Sequence, residues 1–210
     1  RCETASRFRG TKRAHVSLDI VEVWRQSIPD VRSYDGLIVL GGSPNVNQET
    51  AYPFLETEKK AIREALDKNK AYMGFCLGHQ LLAEALGAKV GPNFCRSIGF
   101  ISGHVTNGGR QHPLLQGLPK TFSLFKWHSQ AVLPPLPKGL EVLITSAACQ
   151  VEAVSVEDRP HVVGLQFDNQ SATVADVQVW LKADEAWLSR PPGVDPSAIL
   201  KNAAEREAIM

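Results

Sequence analysis

Ala71-Tyr72-Met73-Gly74-Phe75-Cys76-Leu77-Gly78-His79-Gln80-Leu81-Leu82 is the stretch from which the rest of the chain can be laid out. Ala71–Phe75 is apolar or small throughout and reads as a buried strand, Cys76–Gly78 as a sharp turn, and His79–Leu86 as a helix stopped by Gly87. Gly74-x-Cys76-x-Gly78 is the thiol counterpart of the strand–turn–helix elbow that presents a nucleophile at the carboxyl edge of a sheet. Glycine stands on both sides because a backbone folded so tightly leaves no room for side chains. At a helix start the sulfur would meet unpaired N–H groups and the positive end of the dipole, which favour thiolate and can hold an oxyanion. The same five residues also fit a buried structural cysteine beside packing glycines.

Upstream, Val16–Trp24 is rich in Val, Ile and Leu and reads as a strand; Gly36–Leu40 reads as another, opening onto Gly41, Gly42, Ser43 and Pro44. Because the chain does not begin with Met, a further strand is expected ahead of Arg1. From Tyr52 to Lys68, Leu55, Ala61, Ile62, Ala65 and Leu66 recur at helical spacing, with Pro53 suited to the first turn. Downstream, Asn107–Pro119 reads as loop, its Gly108-Gly109 pair as flexibility, and Leu140–Thr145, Val151–Val156 and Val162–Phe167 as successive strands. Ala172–Leu188 has helical periodicity. Strands alternating with helices early and clustering late predict an α/β domain with a mostly parallel open sheet and an added antiparallel ribbon. The domain is expected over residues 1–190, followed over 191–210 by a Pro-rich linker and a helical tail beginning near Ala198.

Composition narrows the function classes. At 210 residues and 43% hydrophobic content one large core is expected. A net charge of +1 gives no pull toward nucleic acid, an anionic membrane or an acidic partner. Cys2, Cys76, Cys95 and Cys149 are scattered without a CxxC pair, which predicts free thiols in a reducing, cytoplasmic compartment. No apolar run approaches the roughly 18 residues a membrane helix needs. His, Cys and Asp show no metal-ligand spacing, and Gly41-Gly42 is no dinucleotide fingerprint, so neither metal nor cofactor is expected.

Gly74-Phe75-Cys76-Leu77-Gly78-His79-Gln80 resembles the G-x-C-x-G-H-Q signature of class I glutamine amidotransferases. Asp35–Pro44 resembles that family's strand and oxyanion glycine turn, and Phe125-Lys126-Trp127-His128-Ser129-Gln130 the W-H-x-D stretch of its GMP synthase-like branch. The resemblance runs from about Asp35 to Trp180. It implies a flavodoxin-like three-layer sandwich in which Cys76 attacks the side-chain amide of glutamine and releases ammonia to a synthetase partner. It further implies oxyanion N–H groups from Gly42 and Leu77, and Gln80, His128 and Ser129 along a bound glutamine or related amide.

The resemblance breaks at the family's closing Gln-Phe-His-Pro-Glu. Here the strand ends Gln166-Phe167-Asp168-Asn169-Gln170, so Asp168 falls at the general base and Gln170 at the acid that orients it. An imidazole can shuttle a proton near neutrality, whereas a carboxylate with a reference pKa of about 3.9 is a poor base for a thiol. Its charge also raises the thiol's pKa. Glutaminase turnover is therefore expected to be lost or much reduced, unless Asp168 has its own pKa raised by burial or His79 or His128 swings in. His79 is expected to be packed and His128 to line the pocket; His104, His112 and His161 have no motif behind them. Two functions stay open: a Cys-dependent enzyme on amides or other acyl groups, and a non-catalytic binding or regulatory module.

Overall fold

The computed structural model describes residues 17–190 and 193–208. In chain order these form β1 (Gly36–Val39), α1 (Phe54–Asp67), β2 (Ala71–Phe75), α2 (Leu77–Ala85), β3 (Lys89–Val105), α3 (Asn107–Gln111), β4 (Thr121–Leu133), β5 (Leu140–Ser146), β6 (Ala153–Val156), β7 (Arg159–Leu165), α4 (Val174–Ala183), α5 (Glu185–Leu188) and α6 (Pro196–Glu207). The seven strands make one sheet in the order β1-β2-β7-β6-β5-β3-β4.

The α/β class is as expected, but the parallel part is smaller. Among the described strands only β1-β2 and β2-β7 pair in parallel; β7-β6, β6-β5, β5-β3 and β3-β4 are antiparallel. The long crossovers that parallel pairing requires come from α1 and from the whole stretch between β2 and β7. Everything after β3 is joined by short returns that favour antiparallel neighbours. The register sets Val39 beside Gly74 and Gly74 beside Gly164, so β1, β2 and β7 end level at their carboxyl edge.

α1 buries Leu55, Ile62 and Leu66 against Leu81 and Leu82 of α2 and against Val39, Tyr72 and Val162 of the sheet. The opposite face carries Phe75, Leu124, Leu143, Val163, Leu165 and Phe167. β4 shows the period of two expected of a strand: Leu124 belongs to that second cluster, while Phe125 and Trp127 join an aromatic cluster with Val177, Leu188, Ile199 and Ala203 from α4, α5 and α6.

Several expectations need correction. Ser17–Trp24 is irregular, not a strand, and with Leu18 and Ile20 55% and 70% exposed it has no apolar surface to hold it extended; Val16 lies outside the described residues. The 107–119 stretch is not a plain loop. Thr106 caps α3 through its Oγ1, which accepts from the Gly109 N–H at 2.9 Å, and a turn of 3-10 helix follows at Pro113–Leu115. Gly109 is there for close approach and not for flexibility, since a Cβ would lie 2.1 Å from the Leu143 carbonyl oxygen. Ala172–Leu188 is broken at Asp184, whose carboxylate accepts the Trp127 indole N–H at 2.7 Å. β3 and β4 were not foreseen as strands of this length. Of the Pro-rich stretch, Pro191 and Pro192 lie outside the described residues, as do Ile209 and Met210; the tail is helical as α6 and packs through Ile199 and Ala203.

Candidate active site

The three parallel strands deliver three turns to one point. β1 runs out into Gly41-Gly42, β2 into Cys76, and β7 through Gln166-Phe167 into Asp168. Cys76 sits at φ 49°, ψ −105°, a left-handed backbone that a side-chain-bearing residue adopts only under constraint. Its N–H donates to the Leu165 carbonyl at 2.8 Å. The flanking glycines supply the rest of the constraint: a Cβ on Gly74 would lie 2.5 Å from the Gly78 carbonyl, and one on Gly78 2.2 Å from the Val39 carbonyl. The sulfur is thus fixed at the first turn of α2, where the Leu77 N–H points at it.

Asp168 meets that sulfur. The Cys76 thiol donates to the Asp168 carboxylate, which also accepts from Gln170 Nε2 at 3.0 Å. Gly41 lies beside both, since a Cβ there would sit 3.6 Å from Asp168 Oδ1 and 3.9 Å from Cys76 Sγ. Burial raises the Asp168 pKa to about 6, against the opposing pull of the Gln170 and Cys76 hydrogen bonds and of the Lys126 charge. Burial also pushes the thiol well above its ordinary range, and the Asp168 charge adds to this; Lys126 and the Leu77 N–H pull the other way. Burial therefore makes Asp168 a better proton acceptor and the sulfur a poorer acid.

No imidazole takes part. His79 is fully buried and packs against Gly164, where a Cβ would lie 2.6 Å from Nδ1; burial and Lys126 lower its pKa to about 3, so the ring is neutral. His128 is buried too, its Nδ1 donating to the Gln130 carbonyl at 2.7 Å, and burial with Lys126 holds its pKa well below the ordinary histidine value. Neither is among the groups that act on the Cys76 thiol.

The remaining predicted residues divide. Gly42 and Leu77 are in contact range, a Cβ on Gly42 lying 3.2 Å from Leu77 Cδ2. Gln80 is turned inward: its Nε2 donates to the Gln130 carbonyl at 3.1 Å and to Gln166 Oε1 at 3.0 Å. Ser129 is half-buried on β4, opposite the irregular stretch of β3 between Pro92 and Ser97.

Sequence reading missed the floor beneath this centre. Lys126 and Glu152 are both fully buried and form an ion pair, and the second Glu152 oxygen accepts from Ser146 Oγ at 2.5 Å. Ligand atoms of His128, Cys149 and Glu152 come within 4.8 Å of one another, although nothing in their spacing along the chain suggested it. Both Glu152 oxygens are already engaged, and the Cys149 thiol donates to the Val151 carbonyl at 3.4 Å. The readable signal was a lysine between Phe125 and Trp127, at a strand position facing inward.

With this geometry in hand, similarity to known proteins becomes specific. The family model for glutamine amidotransferase class-I matches residues 5–168. The amidotransferase relative from Methanocaldococcus jannaschii, a subunit of its glutamine-hydrolyzing GMP synthase, is 29% identical over 168 residues, covering 76% of this chain and 82% of the relative. Gamma-glutamyl peptidase 4 of Arabidopsis thaliana is 30% identical over 134 residues, 61% of this chain and 51% of the relative. The crystal structure of a glutamine amidotransferase from Thermotoga maritima superposes with a TM-score of 0.74 at 27% identity, covering 85% of this chain and 74% of that one. The fold is accordingly the flavodoxin-like one that the motif resemblance implied. No helix among the described residues is long and apolar enough to cross a membrane.

Proposed function

This chain belongs to the class I glutamine amidotransferase family, and from that premise we propose a Cys-dependent amidotransferase-type protein acting on glutamine or another γ-glutamyl-type amide through Cys76, with glutaminase turnover slowed by orders of magnitude. One observation carries the reading: a buried carboxylate, Asp168, accepts the Cys76 thiol hydrogen bond at the place where the family's motif has histidine.

At neutral pH Asp168 is ionised and the thiol keeps its proton. On attack the sulfur bonds to the amide carbon while its proton passes to the Asp168 carboxylate. The resulting oxyanion is received by the Gly42 and Leu77 N–H groups. Collapse of the tetrahedral species breaks the C–N bond, the Asp168 carboxylic acid gives its proton to the departing ammonia, and water then cleaves the thioester. Asp168 is better suited to this than an ordinary carboxylate, because a pKa of about 6 lies near the operating pH. It is worse suited than imidazole, because proton transfer yields a neutral acid beside a thiolate and no stabilising ion pair. Gln170 holds the carboxylate from its far side.

The Methanocaldococcus relative is by name one subunit of a GMP synthase, which supports a separate synthetase chain as the acceptor of ammonia. A γ-glutamyl peptidase among the relatives supports the wider amide class. A cytoplasmic setting rests on the scattered thiols. A non-catalytic binding module is favoured by a different observation, the internal commitment of the Gln80 amide, which leaves one fewer donor for substrate.

A chloromethyl ketone analogue of glutamine separates the two. It should alkylate Cys76 in the wild type and not in Cys76→Ser, faster toward alkaline pH; no labelling of Cys76 anywhere from about pH 6 to about pH 10 would overturn the enzyme reading in favour of the module.

A further inference from the structure

Residues 168–170 leave β7 and cross to the free edge of β4, the last strand in the sheet order. The Asp168 N–H donates to the Phe125 carbonyl at 2.9 Å. The next side chain completes the junction: Asn169 Oδ1 accepts the Phe125 N–H at 2.7 Å, and Asn169 Nδ2 donates to the Ser123 carbonyl at 2.9 Å. The carboxamide thus behaves as one more peptide group of a strand, and both main-chain groups of the fully buried Phe125 are engaged by Asp168 and Asn169.

We propose that Asn169 is a positioning residue: its carboxamide clamps the turn to β4 and so holds the Asp168 carboxylate against the Cys76 sulfur. An ionised carboxylate gains by reaching water, and Asp168 is only 3% exposed. Something must therefore resist its escape. Gln170 bonds the carboxylate but travels on the same turn, so it cannot anchor that turn; Asn169 ties it to a different strand. Asp168 faces Cys76 from β2, Gln170 from its own turn and the Lys126 charge from β4. Freed of the clamp, the turn opens, the carboxylate swings outward, and the sulfur loses the neighbour that keeps its proton on.

The inference rests on the proposed role of Asp168, and the test keeps the two apart. Alkylation of Cys76 by iodoacetamide is followed against pH by peptide mass spectrometry in the full chain, for wild type, Asp168→Asn, Asn169→Ala and Asp168→Asn/Asn169→Ala. Asp168→Asn should move the profile at least about one pH unit toward acid, a roughly tenfold gain in rate at fixed pH below the midpoint. Asn169→Ala should move it the same way, and the double variant should match Asp168→Asn alone, as residues acting through one group do. Asn169→Ser, which keeps a hydroxyl for the Phe125 N–H but cannot also span to Ser123, should shift it less and carries the test if the alanine variant does not fold. A profile unmoved by Asp168→Asn sinks the reading of Asp168. A profile moved by Asp168→Asn but unmoved by the Asn169 variants, or additive shifts in the double variant, sinks the clamp.

Discussion

Two turns meet at the Cys76 sulfur, and they are held by different means. The elbow is backbone pressed on backbone: Gly74 against the Gly78 carbonyl, Gly78 against the Val39 carbonyl, and the Cys76 N–H on Leu165. The 168–170 turn shares one main-chain bond with Phe125 and is otherwise fastened by side chains, the carboxamides of Asn169 and Gln170. A site of the first kind admits no substitution at its tightest points. One of the second kind can exchange its residues and keep its place, which is how a carboxylate and an amide can occupy positions where the family's motif has imidazole and carboxylate.

That contrast breaks first, and most severely, at Gly78. A methyl group there must displace the Val39 carbonyl, 2.2 Å from its ideal position, and Gly78→Ala should cost about 5 kcal/mol or more in urea denaturation. A loss within about 1 kcal/mol would show that the elbow yields as readily as the opposite turn. Next comes the floor. Lys126→Met strands the Glu152 carboxylate in the interior and should cost about 3–5 kcal/mol, whereas Lys126→Met/Glu152→Gln should recover much of it; equal midpoints for the single and double variants would mean the pair carries no such coupling. The smallest effect sharpens the comparison on the Asp168 side. Because the folded carboxyl holds its proton up to about pH 6 and the unfolded one only to about 3.8, its contribution to stability is present below pH 3.8 and lost as pH rises through 6. Wild type should therefore lose about 3 kcal/mol relative to Asp168→Asn between those limits. A flat difference would place the carboxylate in water.

The elbow was legible because its requirement is local: five consecutive residues, two of them glycines that nothing else can replace. The short parallel strands were legible for the same reason, being continuous apolar runs. β3 was not, because Gly91, Pro92, Gly99 and Gly103 interrupt a strand of 17 residues whose order comes from pairing with β4. Ser17–Trp24 failed in the opposite sense, having strand-like composition and no surface to cover. At the site, the position of Asp168 followed from counting along a recognisable motif. Asn169 did not, since what it bonds is more than 40 residues away in the chain, and no pattern in Asp-Asn-Gln announces the edge of β4. Lys126 and Glu152 lay in separate strands, where each alone looked like a solvated charge.

The Cys76–Asp168 hydrogen bond also bears on how the molecule ages. Peroxide attacks sulfur as the anion, and the sulfenic acid it leaves is the first rung toward irreversible damage. A thiol kept protonated by a buried neighbour presents little of that anion, so the contact that slows amide cleavage would also spare this sulfur from oxidants.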